Sequence, residues 1–548
     1  MRIALAQLNY IIGNFEYNYK KIAESIDKAK AEKADIIIFS ELAICGYPPH
    51  DLLEQKAFVE NCEYWINQVA LLCDTIAAVV GGPSINPHSK GKILYNTAFF
   101  LNNKTIQSIH HKALLPTYDI FDEYRYFEPG TEFNLVSFKG KKIAITICED
   151  LWDDPPVENP FGHNRLYKVS PMKEFSSQKP DFVINIAASP FAYNKIKIKQ
   201  EIFISHAAKY KVPLFYVNQV GAHTDLIFDG GSLAVDAKGN VTDALELFKE
   251  DFRVFELDNL VISKNISINN PEIEKIHDAL VLGIKDYFVK TNLKNAIIGL
   301  SGGIDSAVTL VTAVNALGNE NVRVLLMPSK YSSEHSVKDA IELANNLKVH
   351  YDITPIQPSV DSLLDTLKPI FEGLPEDIAE ENIQARVRGL LLMALSNKFG
   401  NILLNTSNKS EIAVGYGTLY GDMNGGLSIL GDMYKTDVYR LAKYINSHKE
   451  IIPLNIIKKP PSAELKPNQK DTDSLPEYGV LDAILFRYIE QQKNCDDIIK
   501  EGFDEALVLK VLKMVNFNEY KRFQTPPILR ISSKAFGAGR KMPIVARY

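Results

Sequence analysis

Cysteine is scarce in this chain. Five stand among 548 residues, at Cys45, Cys62, Cys73, Cys148 and Cys495, and no two form a CxxC pair. So odd and sparse a set excludes a disulfide framework and a structural zinc site, and it points to a reduced, cytoplasmic protein. Long apolar runs are missing too, since no stretch approaches the roughly 20 residues of a membrane helix. The opening MRIALAQLNY has no extended apolar core and no small-residue cleavage site, so no secretion signal is read. Positive charge is not in excess. The 61 Lys and Arg against 67 Asp and Glu leave a formal net charge of −6, without the basic pull of a nucleic-acid or membrane-surface binder. No GxGxxG opens a βαβ unit, so nicotinamide-dependent redox chemistry is not supported, and no GxxxxGK[ST] loop is present.

What remains is an ordinary globular balance, 46% hydrophobic and 23% charged, at a length that predicts two to four domains. Short β-branched runs bounded by polar residues read as buried strands at 2–8, 35–41, 142–148, 181–187 and 213–219. Segments 16–33 and 196–210 read as helices, and 228–241 as strand, tight turn, strand with Lys-Gly-Asn at the turn. The first half is therefore a layered α/β domain. Polar, aperiodic text at 262–270 and Pro271 before a helical pattern place the boundary near 265–272, giving domains 1–265 and 271–548. The second half opens strand, glycine turn, helix from 304, strand: a βαβ unit of a parallel sheet. The proline-bearing stretch 457–478 reads as a long surface loop.

Three residues of the first half could carry chemistry. Cys148 ends an apolar run, where a sulfur can face a cleft and a following helical turn would lower its pKa; a lone cysteine is more often simply buried. Glu41 ends another run and could serve as a general base or be a solvated strand terminus. Lys112, in HHKALLPTY, could steady an oxyanion or lie on the surface. In the second half, Ser301-Gly302-Gly303-Ile304-Asp305-Ser306 sits between strand and helix. Glycines let a backbone approach an anion, helix N-terminal amides face it, and Asp305 could hold a magnesium ion that bridges phosphates.

Taken together, FSELAICGYPPHDLL, HKALLPTYDIFDEYRYFEPG and ITICEDLW resemble the nitrilase superfamily of carbon–nitrogen hydrolases over residues 1–260. The resemblance implies an αββα sandwich and a Cys–Glu–Lys triad. Cys148 would attack an amide carbonyl, Glu41 would shuttle protons, Lys112 would steady the oxyanion and Glu123 would help position the site. For glutamine-hydrolysing members it further implies Tyr118, Ser189 and Lys195 as glutamine contacts; Ser189-Pro190 could equally be a strand-ending turn.

The order SGGxDS is similar to the pyrophosphate loop of N-type ATP pyrophosphatases, which adenylate a carboxylate or carbonyl. Among these, MPSKYSSEHSVKDA, ENIQARVRGLLLMALSN, LLNTSNKSEIAVGYGTLYGDMNGG, GDMYKTDVYRLA, PPSAELKPNQKDTDSLPEY and NEYKRFQTPP resemble the NAD synthetases. Over nearly all its length the chain looks like a glutamine-dependent member of that family, with a Rossmann-like, parallel-sheet second domain. The resemblance implies that Ser301, Gly302, Gly303, Ile304, Asp305, Ser306, Thr406 and Lys435 meet ATP, and that Asn382, Glu411 and Lys521 meet deamido-NAD. Asp305 and Glu411 would hold magnesium. From residue type alone, Lys435, Lys521, Arg386 and Arg388 could all be ordinary surface cations. PPILRISSKAFG departs from the family pattern, which is expected to carry a Gly and a Lys near Ile528 and Arg530.

The implied reaction amidates deamido-NAD with ammonia cut from glutamine. It passes through an acyl-adenylate and releases AMP and pyrophosphate. The family also implies an interdomain ammonia tunnel, synchronised sites and a homo-oligomer, with no nucleic-acid or membrane partner. Rival readings are a ligase for another adenylated acceptor, an amidase with a nucleotide sensor, and a non-enzymatic scaffold.

Overall fold

The computed structural model describes residues 1–153, 167–262, 270–467 and 469–546. It separates into two compact units, Met1–Pro271 and Glu272–Tyr548. Of the stretch expected to hold the boundary, 263–269 lie outside the described residues.

The first unit carries two six-stranded sheets. One runs in the order Asp251–Glu256, Arg2–Gln7, Ile36–Ile38, Ala77–Ile85, Leu94–Asn102, Thr105–His111. The other runs Val241–Ala244, Leu233–Val235, Leu214–Asn218, Phe182–Ala187, Lys141–Ile147, Val136–Phe138. The sheets pack face to face, Arg2–Gln7 on Leu214–Asn218 and Leu94–Asn102 on Lys141–Ile147. Outer helices cover them, Lys56–Leu72 on Ala77–Ile85 and Ile196–Tyr210 on Leu233–Val235. Strands buried on both faces need continuous apolar runs, and the triple isoleucine Ile36–Ile38, wholly buried, is one. Helix Phe15–Ala31 starts where the Asn14 side chain accepts from the Tyr17 N–H, and it turns Ile22, Ile26 and Ala29 inward at helical spacing. The 228–241 text divides differently from the expectation. Leu226–Asp229 belongs to a separate two-stranded ribbon, and the hairpin proper joins Leu233–Val235 to Val241–Ala244.

The second unit is built on five parallel strands in the order His350–Ile353, Val322–Leu326, Asn295–Gly299, Asn401–Asn405, Leu427–Ser428. The chain order reverses between Asn295–Gly299 and Asn401–Asn405. In such a sheet the crevice beyond the carboxyl ends at that reversal is where ligands sit. Ser301–Ser306 and Thr406 both follow these two strand ends. The long helix Ile378–Phe399 is fixed at its start by a capping box between Asp377 and Glu380.

Among the described residues no helix is long and apolar enough to cross a membrane.

Candidate active sites

Four separated segments of the first unit converge on one buried ionic cluster. Glu41 follows the strand Ile36–Ile38, Lys112 follows Thr105–His111, Cys148 follows Lys141–Ile147, and Glu123 opens the short 3-10 turn Glu123–Arg125. Gly81 lets the Glu41 backbone come this close, because a Cβ there would stand 2.3 Å from the Leu42 nitrogen and 2.5 Å from the Ser40 oxygen. The Lys112 ammonium donates to Glu41 Oε1 at 2.7 Å and to Glu123 Oε1 at 2.8 Å, with all three side chains almost completely withdrawn from solvent. Burial works against the Lys112 charge, but the carboxylates of Glu123 and Glu41 outweigh it and hold its pKa well above the ordinary lysine value. Burial pushes Glu123 up to about 7, with Lys112 pulling against it.

Cys148 sits at the strand-to-turn corner with a backbone φ of +42°, in the left-handed region that side chains seldom occupy. The corner is held by Asp150. Its Oδ2 accepts from the Ile147 N–H, and its Oδ1 accepts from the Ala113 and Leu114 N–H groups, all at 2.9 Å. Asp150 thereby locks the sulfur-bearing turn to the segment that carries Lys112. The expected lowering of the thiol pKa by a helical turn does not hold. The turn is a short 3-10 piece, and burial followed by the Glu41 charge pushes the Cys148 thiol well up despite Lys112. The thiol therefore rests neutral, and to act as a nucleophile it would first have to lose its proton to a base.

Tyr118 is placed at the rim of this site. Its hydroxyl donates to both oxygens of Glu149, at 2.9 and 3.1 Å, and Tyr167 donates to the same carboxylate at 2.8 Å. Burial lifts Glu149 to about 7. Ser189 is pinned through its backbone, donating to Asn218 Oδ1 at 2.8 Å and accepting from Asn218 Nδ2 at 3.1 Å. The preceding Ala188 N–H donates to Glu41 Oε2 at 2.9 Å, so Ser189 borders the cluster. Lys195 lies farther along, half-buried at the start of helix Ile196–Tyr210. Five residues named in this cluster escaped the sequence reading: Asn96, Tyr47, Glu149, Asp150 and Tyr167. Asn96 Nδ2 donates to Glu41 Oε1 at 2.7 Å, and Tyr47 donates to Glu123 Oε1 at 3.0 Å. The signal for Asn96 was a lone amide within the otherwise apolar LYNTAFFL; for Glu149 and Asp150 it was adjacency to Cys148.

The second unit holds a cavity of about 530 Å³ at the strand reversal. Ser301, Gly303, Ile304, Asp305, Ser306, Asn382, Thr406, Glu411, Lys435 and Lys521 all line it. Gly302 does not face it. Its φ is +75°, and a Cβ there would stand 2.2 Å from the Ser336 oxygen, so the loop can pack on the next helix only with glycine. The loop braces itself, Ser306 Oγ donating to the Gly303 oxygen at 3.0 Å and Gly303 N–H to Ser301 Oγ at 3.2 Å. Helix Ile304–Leu317 begins with no side-chain cap, leaving its first amides open to an anion.

Lys435 stands between two carboxylates here as well, 2.5 Å from Asp305 Oδ2 and 3.1 Å from Glu411 Oε1. Burial lifts Glu411 to about 7, with Lys435 opposing and Asp305 adding. Asn382 Oδ1 accepts from Thr418 at 2.7 Å, and Lys521 donates to the Gly415 and Gly417 oxygens at 2.8 and 2.9 Å. Among the described residues no three His, Cys, Asp or Glu side chains gather into a metal cage. Asp305 and Glu411 do offer hard oxygens of the kind magnesium takes one or two at a time, filling its shell from phosphates and water. A second cavity of about 250 Å³ opens beside the first, walled by Leu326, Met327, Leu392 and Leu403 with Arg388 at its edge.

The stretch 457–478 is largely the exposed loop that its composition predicted, and part of it also faces the cavity. Lys459 to Ala463, Leu465, Gln469 and Asp471 wall the larger cavity, and Glu464 accepts from the Ser336 hydroxyl at 2.7 Å; Asn468 is outside the described residues. The two departing positions near the C-terminus are buried. Ile528 bridges to Ser428 beside the sheet, and Arg530 donates to the Ser532 and Ser533 oxygens.

Two family models match the chain, Carbon-nitrogen hydrolase over residues 2–154 and NAD synthase over residues 276–525. The chain is 45% identical to the glutamine-dependent NAD(+) synthetase of Synechocystis over 100% of its own length and 99% of the relative's. It is 40% identical to the enzyme of that name from Thermotoga maritima, with 100% and 99% covered. Among solved structures, a glutamine-dependent NAD+ synthetase from Acinetobacter baumannii in complex with ADP aligns with a TM-score of 0.77 at 38% identity, covering 99% of this chain and 98% of that one.

Proposed function

The chain belongs to the glutamine-dependent NAD(+) synthetases, and from that premise we infer which of its residues perform each half of the reaction. The enzyme is a glutamine-hydrolysing ligase that amidates deamido-NAD to NAD at the expense of ATP.

In the first unit Glu41 takes the thiol proton as the Cys148 sulfur attacks the glutamine carboxamide. Lys112 offsets the charge that develops on the carbonyl oxygen. Glu41 returns the proton to the departing ammonia, and water then hydrolyses the thioester to glutamate. Glu123 keeps Lys112 charged and in place. Tyr118, Ser189 and Lys195 line up the glutamine.

In the second unit the open amides at the start of helix Ile304–Leu317, with Ser301, Gly303, Ile304, Asp305, Ser306 and Lys435, cradle the ATP phosphates, while Gly302 holds the loop in shape from behind. Thr406, at the neighbouring strand end, meets the nucleotide, and the apolar wall that Leu326, Met327, Leu392 and Leu403 give the smaller cavity suits its flat base. Asp305 and Glu411 would hold magnesium, which when bound offsets the phosphate charge. Asn382, Glu411 and Lys521 receive deamido-NAD, whose nicotinate carboxylate is adenylated with release of pyrophosphate. Ammonia from the first unit displaces AMP. Making the nucleophile within the same protein avoids dependence on external ammonium, which is mostly protonated at neutral pH. A cytoplasmic homo-oligomer with domains 1–265 and 271–548 completes the reading.

One observation carries the assignment of residues: Lys112, sealed from solvent, bonds both Glu41 and Glu123 beside the strained corner of Cys148. The test is NAD formation from deamido-NAD, ATP and magnesium with glutamine or ammonium, in the wild type and in Cys148→Ala. The variant is expected to lose only the glutamine-driven reaction. No NAD from either source in the wild type would send the assignment to another adenylated acceptor.

A further inference from the structure

Asn96 is a neutral amide bonded directly to Glu41 among the charges of the first site, and its geometry is specific. It lies in strand Leu94–Asn102, 1% exposed, and its backbone oxygen accepts from the Lys112 N–H at 2.8 Å. Its Nδ2 donates to Glu41 Oε1 at 2.7 Å and leans toward Glu123 Oε2 at 3.4 Å. Its Oδ1 is buried with no hydrogen-bond partner among the described residues. Turning the amide over would aim that oxygen at the Glu41 carboxylate, so only one orientation is tolerable. A buried acceptor left unmatched costs stability, and the return for that cost is the pair of N–H groups.

The occupancy of Glu41 shows what they do. A carboxylate oxygen has two lone-pair sites. On Oε1 both are filled, by Lys112 Nζ at 2.7 Å and Asn96 Nδ2 at 2.7 Å. On Oε2, among the described residues, only the Ala188 N–H is present, at 2.9 Å. We propose that Asn96 is a positioning residue that closes Glu41 Oε1 to protons and so commits Glu41 to act as general base through Oε2. Its second N–H stands between Glu41 and Glu123 and keeps these two like charges from facing each other directly. The inference rests on Glu41 being the base of a glutaminase.

The test is the pH profile of glutamine hydrolysis in the full chain carrying Asn96→Leu, a near-isosteric change without a donor. The charged and titratable groups facing Glu41 are Lys112, Glu123, Cys148, Tyr47 and Tyr216, with Glu149 beyond Cys148. None of them is altered. N–H donation favours an ionised carboxylate, so its loss moves the acid limb of kcat to higher pH, by about one unit. The kcat for glutamine falls about 10–100-fold, KM stays within about threefold, and ammonium-driven NAD synthesis is unchanged. An acid limb that stays in place, or a loss confined to KM, overturns the proposal. Should Asn96→Leu also lower the ammonium-driven rate, the smaller Asn96→Ala, which likewise carries no donor, is read in the same way, and an unmoved acid limb there overturns it equally. Cys148→Ala is run beside them. If that variant keeps glutamine-driven synthesis, the glutaminase assignment itself has failed, and the role of Asn96 falls with it.

Discussion

The two active sites use the same device, a lysine wedged between two carboxylates, in opposite surroundings. Lys112 lies between Glu41 and Glu123 in a dry interior, where the carboxylates are 1% and 6% exposed. Lys435 lies between Asp305 and Glu411 on the wall of a cavity of about 530 Å³, where the carboxylates are 17% and 18% exposed. In the dry site the charges have little water to exchange with, and in the proposed reaction their task is to hold a proton acceptor beside a neutral thiol. At the cavity wall the same charges can be traded. A phosphate can take Lys435, and a cation can take the two carboxylates. Burial decides whether such a triad is a fixed acid–base device or an exchangeable ligand cradle.

The sharpest separation of the two comes from Cys148→Ala. Glutamine-driven NAD synthesis should fall at least about 10³-fold, while the ammonium-driven rate stays within about twofold. Asp305→Asn should do what Cys148→Ala does not, lowering both rates by about 10²-fold or more, since every route to NAD needs the adenylated carboxylate. Stability should distinguish the lysines. Lys112→Met leaves two carboxylates facing each other without solvent and should cost about 3–5 kcal/mol, read as a lowered denaturation midpoint of the first unit. Lys435→Met should cost clearly less, because its carboxylates reach water. An equal loss for both lysines would mean that burial is not the difference between the sites.

The weakest effect is expected from pH. Glu411, lifted to about 7 from its ordinary 4.5, contributes stability that is fully present below about 4.5 and is lost as pH rises through about 7. Glu411→Gln should therefore raise the unfolding free energy at pH 8 by about 1–3 kcal/mol and leave it unchanged near pH 4.5. Activity should be lost at both. A stability gain independent of pH would assign the effect to packing instead.

Much of the frame was legible because buried strands advertise themselves. The runs at 2–8, 181–187 and 213–219 appear as Arg2–Gln7, Phe182–Ala187 and Leu214–Asn218, and the first βαβ unit of the parallel sheet is where the glycine turn put it. One local reading went astray and another fell short for the same reason, that composition cannot say what a segment faces. Residues 457–478 form the exposed loop that their polar, proline-rich composition suggests, but composition did not show that part of this loop walls a cavity. Cys148 precedes a turn that would lower its pKa in the open, but burial raises it.

The sequence by itself determined the two units, the strand ends on which chemistry sits, and the strings by which the chain is placed in its family. These are properties of neighbours along the chain: apolar periodicity, a glycine turn before a helix, a cysteine after a strand. Only the tertiary structure decided that Asn96, Tyr47 and Asp150 belong to the first site, that Glu149 is gripped by Tyr118 and Tyr167, and that Gly302 packs on Ser336 and does not face the ligand cavity. The reason is physical. Hydrogen-bond partners and desolvation are set by atoms brought together from strands as far apart in sequence as Glu41 and Ala188, and no local pattern records which of them will meet.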